Sequence, residues 1–245
     1  MRIGLFDSGL GGLTVLKEFK KFHPKNEYIY FGDNKNLPYG SKTKKELYEL
    51  SCKNIDFLIS KKVDIIVIAC GTVSANVYED LKNKYDIPIY DIVSPTIDYI
   101  NNSDFKNIGL MATQATVSSN KFKDKITKNV IQQACPLLIP FIEKENSIDI
   151  VEVLKEYLSE MKDADAIVLG CTHYPILEKN IQNITSAKLI NMGNILCNSL
   201  KIIDSIESTK LYFSNLSDKL IANINNIIDF EYEVEEVKNA RVTRS

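Results

Sequence analysis

Short apolar segments alternate along the chain with longer segments whose apolar residues recur at helical spacing. Residues 3–6, 28–31 and 63–69 are near-continuous apolar runs, as expected for strands that helices cover on both faces. Residues 13–22 instead carry their apolar side chains along one helical stripe. The pattern predicts an α/β protein with largely parallel sheets.

The same alternation continues towards the carboxyl terminus. Further predicted strands cover residues 87–90, 108–111, 137–139, 166–169, 188–190 and 211–214. Further predicted helices cover residues 44–59, 74–84, 119–131, 147–161, 177–182 and 195–206. A chain of 245 residues with this pattern is long enough to bury substantial cores without cross-links.

One segment of the chain occurs twice. Residues 64–70 and residues 165–171 each begin with Asp, continue as an apolar strand and end in Cys, at Cys70 and Cys171. A threonine follows closely in both copies, as Thr72 and Thr172. Ligands of open α/β sheets bind at the carboxyl ends of strands, so the repeat predicts two halves that each present a thiol to a ligand. Chance similarity between buried strands, with buried structural cysteines, is the alternative.

Two thiols that face each other suit one kind of chemistry. If Cys70 and Cys171 flank one substrate carbon, one thiolate removes a proton and the opposite thiol delivers another, which inverts the centre without a cofactor. The unperturbed thiol pKa of about 8.5 is close to working pH. A helix that begins directly after Cys70 would favour its thiolate. His173 could exchange a proton with Cys171, and Asp7 could assist Cys70 in the same way.

Negative charge that develops on such a substrate has to be stabilised. Hydroxyls and loop N–H groups that follow strand ends could do this. They belong to Ser8, Gly9, Thr72, Ser74, Thr113, Thr116 and Thr172. Helix capping is the alternative role of each hydroxyl, and it is the one we expect for Ser74.

Composition and charge exclude several classes of protein. The 30 Lys and Arg residues nearly balance the 32 Asp and Glu residues, so no nucleic-acid partner is expected. Asp7 interrupts any signal-peptide core, and the apolar runs are far shorter than the roughly 20 residues of a membrane helix. We therefore expect a cytoplasmic protein without membrane contact. Two histidines and five scattered cysteines predict neither a multi-histidine metal site nor a disulfide framework.

These motifs have three other interpretations. The glycines of residues 9–14, with Asp33 downstream, suggest a dinucleotide site, but Thr14 occupies the third glycine position, so tight-turn glycines are favoured. Cys171 and His173 lack the further ligands of a zinc site. A redox pair of Cys70 and Cys171 stays open, although cytosolic thiols are normally reduced.

The remaining histidine and cysteines are assigned structural roles. His23 precedes a proline at the end of a predicted helix, so we expect it to cap the carboxyl terminus of that helix. Cys52 and Cys197 fall within helical segments and Cys135 follows an irregular one. All three are expected to be structural.

At these positions the sequence resembles glutamate racemase, within the aspartate/glutamate racemase superfamily. Six motifs in the family's order carry the resemblance: residues 7–15, 31–33 with 38–40, 69–75, 112–117, 135–136 leading to Glu143, and 170–175. The resemblance implies cofactor-independent interconversion of L- and D-glutamate, which supplies D-glutamate for bacterial peptidoglycan.

The resemblance also implies roles for individual residues. Cys70 and Cys171 are the two acid/base residues, Asp7 and His173 assist them, and Glu143 supports His173. The positions that would bind substrate are Asp7, Ser8, Pro38, Tyr39, Gly40, Gly71, Thr72, Thr113, Thr116 and Thr172. Two pseudosymmetric α/β domains are implied, residues 1–95 plus 205–245 and residues 96–204, with the active site in the cleft between them. A homodimer without cofactor or metal is expected.

The sequence departs from the family pattern at two places. Gly71 stands where the family usually has Asn, whose side chain helps to hold the substrate's polar groups. The nearby Asn76 could substitute for that side chain. Residues 191–193 replace a common Asp-Pro-Gly-like turn. These departures keep two alternatives open: an aspartate racemase or related amino-acid racemase, and a catalytically weak relative that binds an acidic ligand or a partner protein.

Overall fold

The computed structural model describes residues 1–143 and 149–237. The strands are β1 (Arg2–Asp7), β2 (Glu27–Gly32), β3 (Ile65–Ile68), β4 (Ile89–Asp91), β5 (Asn107–Ala112), β6 (Asn129–Ala134), β7 (Ala166–Leu169), β8 (Lys188–Asn191), β9 (Ser208–Phe213) and β10 (Glu233–Glu236). The α-helices are α1 (Leu13–Phe22), α2 (Lys44–Ser60), α3 (Gly71–Lys84), α4 (Ser94–Asn101), α5 (Gln114–Ser118), α6 (Lys121–Lys125), α7 (Leu138–Ile142), α8 (Ile150–Leu158), α9 (Glu178–Gln182), α10 (Met192–Ser199) and α11 (Asp218–Ile227). Short 3-10 helices cover Asn34–Asn36, Tyr39–Ser41, Ser159–Met161 and Tyr174–Leu177.

The strands of the described residues form two sheets. One has six strands in the order β10-β9-β2-β1-β3-β4, and the other has four in the order β6-β5-β7-β8. The pairings between these strands are parallel. The predicted α/β class with parallel sheets is therefore confirmed.

The internal repeat corresponds to matching strands of the two sheets. The order β2-β1-β3-β4 in the first sheet is repeated as β6-β5-β7-β8 in the second. Asp64 and Asp165, with which the two repeated segments begin, also have the same role. The Asp64 carboxylate accepts the backbone N–H of Arg2 at 2.6 Å, and that of Asp165 accepts the N–H of Asn107 at 2.8 Å. Each aspartate thus anchors the start of the strand beside it, which sets the register of the cysteine-bearing strand.

The two sheets share a continuous hydrophobic core. One cluster of buried side chains includes Leu5 of β1, Leu110 of β5 and Val168 of β7. Helix α10, which follows the second sheet, packs against α1 of the first. The first sheet uses strands from both ends of the described chain, and the second uses strands between residues 107 and 191. The domain boundaries remain a prediction, and residues 238–245 lie outside the described residues.

Several predicted elements were wrong. Residues 119–131 form α6 and the start of β6 instead of one helix, because pairing with β5 overrides the helix-like spacing of Phe122, Ile126 and Val130. Residues 138–139 begin α7 instead of belonging to a strand. Helix α10 ends at Ser199, whereas the predicted helix continued to residue 206. Helices α4, α5 and α11 and strand β10 were not predicted. Among residues 1–143 and 149–237, no helix is both long and apolar enough to span a bilayer.

Candidate active site

The predicted catalytic residues lie at the carboxyl ends of three strands. Asp7 is the last residue of β1, Cys70 follows β3 as the N-cap residue of α3, and Cys171 follows β7. All three side chains are buried, with 4% of Cys70 and 6% of Cys171 exposed. Apolar β3 and β7 therefore carry each thiol to the polar edge of its own sheet.

The loops that carry the two cysteines are in direct contact. A β-carbon at Gly71 would lie 2.5 Å from the carbonyl oxygen of Gly170 and 3.3 Å from Cε of Met192. Since real β-carbons do not approach a backbone oxygen so closely, only glycine fits at position 71 in this arrangement. The absence of the Asn side chain that is usual in the family at position 71 therefore has a structural reason: the loop after Cys70 packs against Gly170, the residue before Cys171.

A chain of polar contacts leads away from Cys171. Its sulfur lies 3.7 Å from Nδ1 of His173, and Nε2 of the same ring lies 3.0 Å from a carboxylate oxygen of Glu143. Burial lowers the pKa of His173, but hydrogen bonds and electrostatic interactions with Cys171 and Glu143 outweigh it and raise that pKa well above its usual value. The imidazole ring of His173 is therefore held in its protonated form, between the Cys171 sulfur and the Glu143 carboxylate. The Glu143–His173 pair also borders a cavity of about 120 Å³.

Asp7 is fixed by backbone donors. Its carboxylate accepts the N–H groups of Gly9 at 3.2 Å and Gly12 at 2.9 Å, which belong to the turn before α1. The Thr172 hydroxyl donates to the other carboxylate oxygen at 3.4 Å. Asp7 therefore touches both halves of the protein, beside Cys70 on one side and Thr172 on the other.

The helix after Cys70 favours its thiolate, as expected, but two other effects outweigh it. Burial and the nearby Asp7 carboxylate raise the pKa of the Cys70 thiol far above its ordinary value. The backbone N–H groups of Val73 and Thr72 lower the pKa but do not compensate. Cys70 is therefore protonated at neutral pH in this structure.

Three threonine hydroxyls form a row that crosses between the halves. Oγ1 of Thr72 lies 2.9 Å from Oγ1 of Thr113, which lies 3.0 Å from Oγ1 of Thr116. The three side chains are buried. Gly40 packs onto the same row, because a β-carbon there would lie 3.0 Å from Cβ of Thr113. Four of the predicted substrate-binding residues are thus brought together.

The other predicted substrate-binding residues are more dispersed. Tyr39 is buried and its hydroxyl donates to Asp33 at 2.7 Å, so burial and the Asp33 charge raise its pKa. Pro38, next to it, is exposed, whereas Ser8 is buried beside Asp7. The capping role expected for Ser74 was wrong: its hydroxyl donates to the carbonyl of Ile68 at 3.3 Å.

The residues assigned structural roles pack in the core or cap a helix. Cys52, Cys135 and Cys197 are buried in hydrophobic clusters, as predicted. All five cysteines fall within the described residues and have free thiols. His23 is the C-cap residue of α1, as predicted, and its Nε2 lies 3.0 Å from the carbonyl oxygen of Cys197. In the part of the chain that the structure describes, no three His, Cys, Asp or Glu side chains are grouped to hold a metal ion.

Two hydrogen bonds at the contact between the halves were not predicted. The Thr14 hydroxyl donates to the carbonyl of Thr172 at 2.7 Å. The Asn76 amide donates to the carbonyls of Thr72 at 2.8 Å and Ala115 at 3.3 Å. The one sequence signal for Thr14 was its position where a glycine pattern breaks. Asn76 was expected only as a substitute for the Asn side chain missing at position 71, and its hydrogen bond to Ala115 was not foreseen.

Comparison with known proteins finds relatives over nearly the whole chain. The model of the Asp/Glu/Hydantoin racemase family matches residues 17–200. The glutamate racemase of Hydrogenobaculum sp. (strain Y04AAS1) is 34% identical over 97% of this chain and 96% of its own. The crystal structure of glutamate racemase from Francisella tularensis subsp. tularensis SCHU S4 in complex with D-glutamate has a TM-score of 0.85 at 29% identity and covers 97% of both chains. The glutamate racemase structure from Aquifex pyrophilus has a TM-score of 0.80 at 36% identity, over 96% of this chain and 98% of its own. The family model matches most of the chain, and the relatives align with it over nearly their whole length. The chain therefore belongs to the Asp/Glu/Hydantoin racemase family.

Proposed function

We propose that this protein is a cofactor-independent glutamate racemase. The observation that carries the proposal is the pair of buried cysteines at matching strand ends of two repeated sheets, on loops that contact each other. Relatives named glutamate racemase, one of them crystallised with D-glutamate, support glutamate as the substrate. The reaction removes the α-proton from one face of glutamate and adds a proton to the other.

The surroundings of the two cysteines differ, so that one can act as a thiolate base while the other acts as a thiol acid. Because His173 holds a proton beside Cys171, the Cys171 sulfur can act as thiolate and take the α-proton. Cys70, whose raised pKa keeps it protonated, then donates its proton to the opposite face of the carbanion. The electron pair left by the broken C–H bond forms the new one. Afterwards Cys171 is a thiol and Cys70 a thiolate, which is the starting state for the opposite enantiomer.

Glu143 and Asp7 have different parts in this scheme. Glu143 maintains the charge of His173 through the contact at Nε2. Asp7, held by two backbone N–H groups, keeps the proton on Cys70 and is placed to assist its transfer. Neither carboxylate needs to leave its partners during the reaction.

We assign the hydroxyl row and its neighbours to substrate binding. Thr72, Thr113 and Thr116 present buried hydroxyls close to both cysteine loops, and such groups stabilise the charge of a substrate carboxylate. The same role is proposed for the groups at Asp7, Ser8, Pro38, Tyr39, Gly40, Gly71 and Thr172. We further propose that the enzyme works as a cytoplasmic homodimer, with domains divided near residues 95 and 205, and supplies D-glutamate for peptidoglycan.

The activity is tested by isotope exchange in heavy water. Purified protein is incubated with D-glutamate, L-glutamate or either enantiomer of aspartate, and the α-proton NMR signal is followed together with optical rotation. We expect loss of the α-proton of glutamate while the optical signal decays. Exchange with aspartate alone would make the protein an aspartate racemase. No exchange with either amino acid would overturn the enzymatic proposal in favour of a binding relative.

The mechanism is tested by removing each thiol. Cys70→Ser and Cys171→Ser should each lower racemisation by at least about 100-fold, since each removes a proton carrier. Cys52→Ser is the matched control, because Cys52 is also a buried free thiol but lies in α2, outside the site. Wild-type turnover in either active-site variant would refute the two-thiol scheme.

A further inference from the structure

We propose that Thr14 is a positioning residue that fixes the orientation of the turn carrying Cys171 and His173. The inference rests on the proposed two-thiol racemisation for its kinetic consequences, but its structural basis is independent of substrate. Thr14 lies in the first turn of α1, in the half of the protein that carries Cys70, whereas the turn that it holds belongs to the other half.

The carbonyl of Thr172 needs a donor from elsewhere. Its neighbours accept from the residue three positions ahead: the Cys171 carbonyl from Tyr174 N–H at 3.0 Å and the His173 carbonyl from Ile176 N–H at 3.1 Å. The corresponding donor for Thr172 would be residue 175, which is proline and has no N–H. The turn between Cys171 and His173 is thus left with a buried acceptor that its own backbone does not satisfy.

The Thr14 hydroxyl supplies this donor. Its oxygen lies 2.7 Å from the Thr172 carbonyl oxygen and 2.9 Å from that of Gly11. A hydroxyl has one proton, so it can donate fully to only one of them. Thr172 is favoured, because its contact is shorter and because the Gly11 carbonyl already accepts the backbone N–H of Thr14 at 3.0 Å.

The start of α1 is shaped to reach this turn. A β-carbon at Gly11 would collide with Oγ1 of Thr172 and with Nδ1 of His173. Glycine at position 11 therefore lets the turn before α1 lie directly on Thr172 and His173. Thr14, one helical turn further on, then holds the peptide between Cys171 and His173 at its carbonyl.

The consequence for the reaction is specific to one thiol. A displacement of about 1 Å in a reacting group can cost about 100-fold in rate, and releasing the Thr172 carbonyl frees the turn on which both Cys171 and His173 depend. Cys70 has its own turn and backbone donors, and the N–H groups of Gly9 and Gly12 still hold Asp7, so proton transfer at Cys70 should slow much less. Loss of the Thr14 hydroxyl should therefore slow the Cys171 step selectively.

The test compares Thr14→Val with Thr14→Ser, which retains the hydroxyl, and with Thr96→Val. Thr96 is the matched control because it is also a buried helical threonine that donates to a carbonyl at 2.7 Å, that of Ile92. We expect Thr14→Val to lower kcat by about 10- to 100-fold with KM changed by less than about threefold, and Thr14→Ser to restore most of the rate. Because L- and D-glutamate are present at equal concentrations at equilibrium, kcat/KM has the same value in both directions and must fall equally in both.

Primary isotope effects on kcat/KM with α-deuterated D- and L-glutamate then separate the two steps. In Thr14→Val the isotope effect should rise for the enantiomer whose proton goes to Cys171 and fall for the other. Thr96→Val should leave both isotope effects unchanged. Equal isotope effects in Thr14→Val and wild type would overturn the inference.

A second readout needs no activity. The chain has two histidines, so the imidazole ¹⁵N spectrum contains two sets of signals, from His23 and His173. Thr14→Val should shift the signals of His173 and leave those of His23 in place, and Thr96→Val should shift neither set. If wild type fails to racemise glutamate but this shift occurs, the proposed function falls and the positioning role stands. If wild type is active and His173 does not shift in Thr14→Val, the positioning role falls.

Discussion

Oγ1 of Thr72 lies 2.9 Å from Oγ1 of Thr113, although Thr72 follows a strand of one sheet and Thr113 a strand of the other. This buried hydrogen bond joins the two halves beside the cysteine loops. Thr113 has a second task, because its hydroxyl also accepts the N–H of Thr116 as the N-cap of α5. Thr72 has no such task in α3, so it is the better position at which to test the row.

Thr72→Val should weaken substrate binding. The change removes a buried hydroxyl and leaves Thr113 without one partner, which costs about 1–2 kcal/mol and corresponds to a KM increase of about five- to thirtyfold. Thr72→Ser keeps the hydroxyl and should stay close to wild type. Initial rates over a range of glutamate concentrations give both constants. A wild-type KM in Thr72→Val would show that the row of threonine hydroxyls does not bind the substrate.

Glu143→Gln should lower the pKa of His173, because it removes a negative charge that raises that pKa against the effect of burial. The imidazole ¹⁵N titration measures the shift directly. Activity should fall by about tenfold or more, since His173 would no longer retain its proton beside Cys171.

The same variant has a defined effect on stability. A histidine whose folded pKa is raised stabilises the protein fully below its unfolded pKa of about 6.5, and this stabilisation is lost as pH rises through the folded pKa. The difference in unfolding free energy between wild type and Glu143→Gln should be about 1.5–3 kcal/mol near pH 6 and smaller at higher pH. Denaturant unfolding at several pH values measures it. A difference that grows with pH would contradict the assigned charge of His173.

Asp7→Asn should lower the pKa of Cys70. Burial of Cys70 remains, but the carboxylate charge that raises its pKa is removed. Labelling by iodoacetamide, read for each cysteine by mass spectrometry, should therefore begin at lower pH for Cys70 than in wild type. Cys197 lies in α10, away from Asp7, and provides the internal control. An unchanged labelling profile at Cys70 would show that Asp7 does not set its protonation.

The elements that were predicted correctly are those whose sequence and environment agree. The apolar run of β7, buried on both faces, was predicted with its observed bounds of Ala166–Leu169. Strand β6 was missed because it lies at the edge of its sheet, half-buried, with a polar sequence whose pairing is decided by β5. Helix α11 was missed because its asparagines mask the stripe formed by Leu220 and Ile224.

The site was only partly predictable for a similar reason. Strand ends marked by Cys70 and Cys171 could be found from the repeat, because strand ends are a local property. The contact between Gly71 and Gly170 could not, since it depends on how two halves pack. The raised pKa of Cys70 was missed because burial and Asp7 oppose the helix terminus, and only the structure shows which effect is larger.

Gly71→Ala tests that packing. At the first position of an unhindered helix alanine would stabilise the protein relative to glycine by up to about 1 kcal/mol. Here its β-carbon would meet the Gly170 carbonyl at 2.5 Å, and a backbone oxygen cannot rotate away as a side chain can. We therefore expect a net loss of about 1–3 kcal/mol in unfolding free energy, as for other overpacked sites, with a lower kcat because the cysteine loops are forced apart.

Gly193→Ala is the matched control for this variant. Its β-carbon would also meet backbone from the other half, Cα of Val15, but at 3.2 Å and between α10 and α1, away from the cysteines. It should cost less stability and leave kcat near wild type. Gly71→Asn, which introduces the residue usual in the family, should be at least as damaging as Gly71→Ala, because the same β-carbon collides. If Gly71→Asn instead raised activity, the cysteine loops would have to lie further apart in the working enzyme than they do here.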